Sequence, residues 1–142
     1  MAGDAAYQRK RHIANPSEKC DASKRWRVKH PARAMLSSAR ARAKYRGQSF
    51  SLKLEDFAEE LAAMTCSVTG VELHWEEGVG RGNSNPWRPS LDRIDSSKGY
   101  TPENTRVVCW AYNMACGHWD DEVIAKWAKG LVSKQSELAN ED

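Results

Sequence analysis

No run of apolar residues in these 142 residues approaches the length needed to cross a bilayer, and the N-terminus has no apolar stretch of the signal-peptide kind. Both absences suggest a cytoplasmic protein with no membrane partner. Cysteine is scarce and irregular. Cys20, Cys66, Cys109 and Cys116 form no disulfide framework, which suits a reducing compartment, and each reads first as a small buried hydrophobe. Internal repeats are absent too, and the length fits one domain with an appendage. What the chain does hold is six tryptophans, expected to supply large buried surfaces to a core in its second two thirds.

The net charge of +3 conceals an asymmetry. Residues 1–50 carry 13 Lys and Arg against 3 Asp and Glu, whereas residues 51–142 carry 9 against 16. A basic arm on an acidic body suits a polyanionic partner, because clustered cations on phosphates release counterions. The same charge also serves as a plain solubilising tail. Residues 1–24 lack apolar periodicity and read as a basic, disordered tail. Residues 25–48 read as a basic helical arm, with Pro31 in a first helical turn and Gly47 as its C-cap. On that arm Arg33, Arg40 and Lys44 share a face, with Ala34, Leu36 and Ala43 less exposed. Arg25, Arg27, Lys29, Arg42 and Arg46 add to a surface fit to lie along a phosphate backbone.

Residues 49–142 read as the folded domain. Ser49–Leu52 alternates as a short strand or an extended lead-in, and Leu54–Met64 places Leu54, Phe57, Leu61 and Met64 at helical spacing. A turn and short strand follow at Cys66–Leu73. The segment Gly78–Pro89, rich in glycine and proline around Arg81, Asn83 and Asn85, reads as a mobile loop in which Arg81, Trp87 and Arg88 could touch nucleic acid. A hairpin over 89–110 leads to a helix at about 111–116. The last helix starts after Asp120, a good N-cap, and runs to about Leu138 with Val123, Ile124, Trp127 and Leu131 on its buried stripe.

Chemistry concentrates in and just after the hairpin. Strand alternation puts Asp92 on one face with the apolar Ile94, a costly place for a carboxylate unless it is paired or binds a cation. Asp95 beside Ser96 and Ser97 reads as a turn former. Asn104 precedes the second strand, where its side chain is placed to bond loop backbone and fix Asp92 and Arg93. Asn113 opens the next helix. A carboxylate and an amide oxygen converging at a strand–helix junction make a hard-oxygen pocket for a divalent cation.

The pattern Ser90-Leu91-Asp92-Arg93-Ile94-Asp95, Gly99-Tyr100, Pro102-Glu103-Asn104, Val108-Cys109 and Asn113 resembles the phage and prophage HNH-type endonucleases. These belong to the His-Me finger, or ββα-metal, superfamily with its endonuclease VII-like branch. Cys66-Ser67-Val68-Thr69-Gly70 resembles the start of that motif, and the likeness covers roughly residues 64–119. It implies an α+β fold with a small ββα-metal core, flanking helices and the basic N-terminal arm. It also implies a DNA endonuclease or nickase using Mg²⁺ or Mn²⁺, with Asp92 and Asn113 as metal ligands and Asn104 orienting the catalytic loop. Arg88, Lys98 and Arg106 would join the arm on DNA, branched or duplex, with the protein a monomer or a homodimer.

Two positions depart from the family pattern. Arg93 stands where a histidine base is usual, and a permanently charged guanidinium is suited to clamping phosphate rather than taking a proton. His118, just after the helix of Asn113, is the better placed of the two nearby histidines, the other being His74. The family's paired Cys-x-x-Cys units keep only Cys66 and Cys109, with Thr69 and Tyr112 at the partner positions. Two thiolates alone do not make a structural zinc site; Cys116 and a histidine could complete one with Cys66 and Cys109, but that spacing is not typical, so packing is expected in place of Zn²⁺. Competing readings are a catalytically inactive DNA-binding protein on the same fold and, with less support, a phage inhibitor that binds a host protein.

Overall fold

The computed structural model describes residues 16–76 and 85–140, with side chains from Asp21 onward. Most of the tail expected at 1–24 and the stretch 77–84, with Arg81 and Asn83, lie outside the described residues. The architecture mixes helix and sheet. Helix α1 (Pro16–Lys29) and helix α2 (Pro31–Arg46) form the basic arm. A 3₁₀ turn (Glu55–Phe57) runs into the short α3 (Ala58–Ala62). Strands β1 (Pro89–Arg93) and β2 (Thr105–Cys109) form one antiparallel hairpin, followed by α4 (Trp110–Cys116) and α5 (Asp121–Ala139).

Helix α1 starts at Pro16, earlier than composition suggested, with a proline at its first position where the missing N–H costs nothing. Both prolines thus open helices rather than break them. Gly47 closes α2 in the left-handed region at φ 64°, its N–H reaching the Ala43 and Lys44 carbonyls. Ala39 and Ala43 are buried, whereas Arg33, Arg40 and Lys44 are exposed on the other side.

Residues 49–52 form no strand. The segment is extended and zipped to the hairpin loop by Ser51 N–H to Tyr100 O (3.0 Å) and Tyr100 N–H to Ser49 O (3.1 Å). The approach is so close that a Cβ on Gly99 would lie 1.9 Å from the Ser49 carbonyl oxygen, so only glycine fits there. The helix expected over Leu54–Met64 is shorter, ending at Ala62, and Met64 turns the chain at φ 46°. Cys66–Leu73 is a tight loop around Gly70 (φ 72°) rather than a strand, carrying one bridge between Thr65 and Glu72.

The core is small and mostly aliphatic, with Leu52, Leu73, Leu91, Val107 and Val108 around Phe57, sealed by Tyr100, Tyr112 and the thiols of Cys66, Cys109 and Cys116. The tryptophans do not build it. Trp26, Trp75, Trp87, Trp119 and Trp127 are exposed, and Trp110 is half-buried. The stripe expected on α5 is likewise uncovered. Val123, Trp127 and Leu131 are exposed, and only Ile124 packs against the core. Amphipathic spacing creates an apolar face, but only the first turns of α5 reach α4, so nothing in this chain's described residues covers the rest.

Candidate active site

The hairpin register decides the surroundings of Asp92. Its cross-strand partner is Arg106, and such directly opposed side chains lie within contact range. Arg106 Nε donates to Asp92 Oδ2 at 2.8 Å. The same guanidinium reaches the first turn of α5, where Nη1 and Nη2 grip both oxygens of Asp121 at 2.7 Å each. Tyr112 from α4 completes the group, its hydroxyl donating to Asp121 Oδ1. One planar cation thus ties β1, β2 and α5 together, the bidentate geometry that favours arginine over lysine.

Asp92 is 5% exposed. Its expected neighbour Ile94 is instead 55% exposed, because β1 ends at Arg93 and Asp95 turns the chain by accepting from Ser97 N–H and Oγ–H. Burial raises the Asp92 carboxyl above its ordinary value, and Arg106 offsets part of that rise. Asp121 is drawn down to about 2 by its bonds to Arg106. Burial and the bond to Asp121 push the Tyr112 hydroxyl up, and Asp121 above all raises Arg106.

The lowered Asp121 has a pH signature. Its contribution is present above the unfolded carboxylate range near 4 and is lost as pH falls through about 2. Asp121→Asn is therefore expected to be less stable than wild type at pH 6, with the deficit closing toward pH 2. Urea midpoints at the two pH values measure this, and an equal deficit at both would contradict it.

Asn113 and Asn104 hold the frame by different routes. Asn113 Nδ2 donates to Ser90 Oγ (2.8 Å) and to Leu91 O (3.1 Å), locking α4 onto β1, while its amide oxygen has no partner among the described residues. Asn104 bonds the hairpin loop from inside. Its Oδ1 accepts from Asp95 N–H (2.9 Å), and its Nδ2 donates to Asp95 O (3.1 Å) and Gly99 O (2.9 Å). Arg93 braces the same loop through Gln48 Oε1, Ser96 O (2.8 Å) and Lys98 O (3.0 Å), its guanidinium 5.3 Å from the Tyr100 ring centre.

A cleft of about 800 Å³ runs between the arm and the hairpin, and it brings Asp92, Arg93, Asn113 and His118 together. His118 is exposed, its ring 4.4 Å from that of Trp119. The cleft is also lined by Arg27, Arg42, Arg46 and Arg88. Among the described residues, none of these arginines has a carboxylate within ion-pair distance. Arg42 bonds the Tyr100 hydroxyl at 3.1 Å, and Arg88 lies 4.9 Å from the Trp110 ring centre. Burial lowers Arg88, and the neighbouring Arg42 adds to the fall.

No family model, curated protein or solved structure matches this chain. The site therefore stands on its own geometry.

The other residues expected to meet nucleic acid are placed differently. Arg25, Lys29, Arg33, Arg40 and Lys44 are exposed outside the cleft, Lys98 pairs with Asp95 at 3.3 Å, and Arg106 is committed to the ion pairs above. Arg106 was expected on a DNA surface, yet its side chain is only 14% exposed. Asp121, Tyr112 and Ser90 were not foreseen as site residues. The Asp92–Arg106 pairing could have been counted from the hairpin, but Asp121 gave no sign beyond its place in a first helical turn.

Cys66 and Cys109 adjoin in the core. Burial pushes Cys66 up, but bonds from the Thr69 hydroxyl and from backbone N–H groups outweigh it, whereas burial and the adjacent Cys66 raise Cys109. Among the described residues, no group of three or more His, Cys, Asp or Glu side chains is arranged to hold a metal ion. Any cation in the cleft therefore rests on fewer protein ligands. One carboxylate, one amide oxygen and solvent form an all-oxygen set of the kind Mg²⁺ accepts, since it keeps several waters.

Proposed function

We propose that this protein is a divalent-metal-dependent DNA endonuclease or nickase built on a ββα-metal core. The observation that carries the reading is the cleft itself: Asp92 and Asn113 share it with five arginines that lack carboxylate partners among the described residues. The antiparallel hairpin leading directly into α4 supports the same reading, as does the bond that locks Asn113 to β1.

Asp92 and Asn113 would hold the ion, Mg²⁺ or Mn²⁺, which supplies positive charge beside the phosphate and the departing 3′-oxygen. Arg42 and Arg88 bind and orient the phosphodiester, and Arg27 and Arg46 extend the contact along the strand. Arg93 and Asn104 keep the loop and β1 in place. His118, at the cleft wall, is the proton acceptor in reach of solvent.

Supercoiled plasmid incubated with Mg²⁺ or Mn²⁺ is expected to be nicked, and chelation with EDTA to stop it. If wild type and Asp92→Ala leave the plasmid equally intact across both metals, the enzyme reading fails. A specific observation favours one alternative, a DNA-binding protein that does not cut: Arg93 fills the usual base position and spends its Nη1 on the loop. Salt-dependent binding without any cleavage would select that alternative.

A further inference from the structure

The stem that borders residues 77–84 is more rigid than its exposed composition suggests. Asn85 is 5% exposed and bonds both sides of the stem. Its Nδ2 donates to His74 O (2.8 Å) and Glu76 O (2.7 Å), and its Oδ1 accepts from Trp87 N–H (2.9 Å). His74 N–H to Trp87 O (3.2 Å) closes the pair. Two more bonds, Trp110 N–H to Arg88 O and Ala111 N–H to Pro86 O (2.9 Å each), weld the stem to the start of α4, the helix of Asn113.

This bracing holds an apolar ring in the open. Trp75 is 42% exposed and lines the arginine-rich cleft, and no aromatic ring or cation covers its face among the described residues. The cleft's other aromatic rings, Tyr100 and Trp110, are already faced by Arg42, Arg93 and Arg88. The exposed part of this indole forgoes a share of the stabilisation of a buried aromatic, and, alone among the exposed tryptophans of the described residues, Trp75 lines the cleft, where its open face can meet a ligand. Beside cations that grip phosphate, the matching ligand is a nucleobase.

We infer that Trp75 is a stacking platform for an unpaired base, so that the cleft takes DNA with single-stranded character, such as a frayed end, a flap or a gap. A base inside a duplex keeps both faces stacked on its neighbours and offers none to Trp75; an unpaired base does, and aromatic stacking tolerates any base. The inference rests on the nucleic-acid reading of the cleft but is separable from it.

The test is fluorescence anisotropy at low salt with a labelled oligothymidylate of about twelve nucleotides and a labelled blunt duplex of the same length. Wild type is expected to bind the single strand at least as tightly as the duplex. Trp75→Ala is expected to lower the single-strand to duplex affinity ratio about ten-fold, and Trp75→Phe to restore most of it. A ratio unmoved by Trp75→Ala, or a fall that Trp75→Phe does not repair, overturns the stacking inference alone. Arg42→Glu reports separately on the cleft and should weaken both probes. If wild type binds neither probe, the nucleic-acid reading falls and the inference with it.

Discussion

Replacing Asp92 by asparagine is expected to cut metal-dependent nicking by about 100- to 1,000-fold while leaving the protein folded. The amide keeps the carboxylate's shape, and its oxygen still accepts from Arg106 Nε, so the ion-pair group loses a charge but not a contact. What disappears is the negative charge that, on the proposed reading, would draw a cation to the cleft, and metal charge stabilisation at a phosphate is worth several kcal/mol, which sets the size of the expected loss. The measurement is single-turnover nicking over a range of Mg²⁺ and Mn²⁺ concentrations, with circular dichroism melts alongside. Activity restored by raised Mn²⁺ would show a weakened ligand. Activity untouched at every metal concentration, in a variant that melts like wild type, would remove Asp92 from the chemistry.

Arg106→Leu is expected to carry the largest stability cost, roughly 3–5 kcal/mol, the usual result of removing one partner of a buried pair. The cost falls unevenly. The Asp92 side chain is 6% exposed and loses the one cation paired with it among the described residues, whereas Asp121 is 49% exposed and regains water. A loss of that size is a large share of the stability of an ordinary domain and would lower the melting temperature by about 10–20 °C. The deficit should depend on pH. With Arg106 gone, the folded-state value of Asp92 rises further above its unfolded value, so the Asp92 share of the deficit is absent below about pH 4 and grows as pH rises through the raised value, while the share from the lost Asp121 pair persists until pH nears 2. Adding Asp92→Asn to Arg106→Leu should recover part of the loss, since the uncompensated charge is then gone. Melting within two or three degrees of wild type at neutral pH would show the pair to be idle.

Local rules made the second half of the chain readable where they act alone. The 89–110 hairpin and the helix after it follow from alternating residues and a turn-rich loop, and Asp120 caps α5 by accepting from Val123 N–H at 3.0 Å. Asn104 sits where short-range geometry leaves its amide few choices but the loop backbone. Readings that needed a partner fared differently. The face of Asp92 was taken from a strand running to Asp95, but the Asp95–Ser97 turn ends β1 two residues earlier and frees Ile94. The hydrophobicity of tryptophan suggested a packed core, yet burial depends on what else is present to cover so large a ring, and the described residues offer only one two-stranded hairpin and a small core beneath it. The apolar stripe of α5 was legible for the same reason that its exposure was not: periodicity describes one helix, and covering it takes a second surface.

The Arg106 fork has a mechanical side. It clamps a carboxylate of the cleft to the first turn of a 19-residue helix whose far end is exposed among the described residues. A long arm fixed at one end is a lever, and here the fulcrum is a pair of bonds 2.7 Å long. A load on the distal turns of α5, whether from a fused tag, a surface or a bound partner, is expected to reach Asp92 through Arg106, with the Tyr112 bond and the packing of Ile124 sharing the strain at the base of the arm.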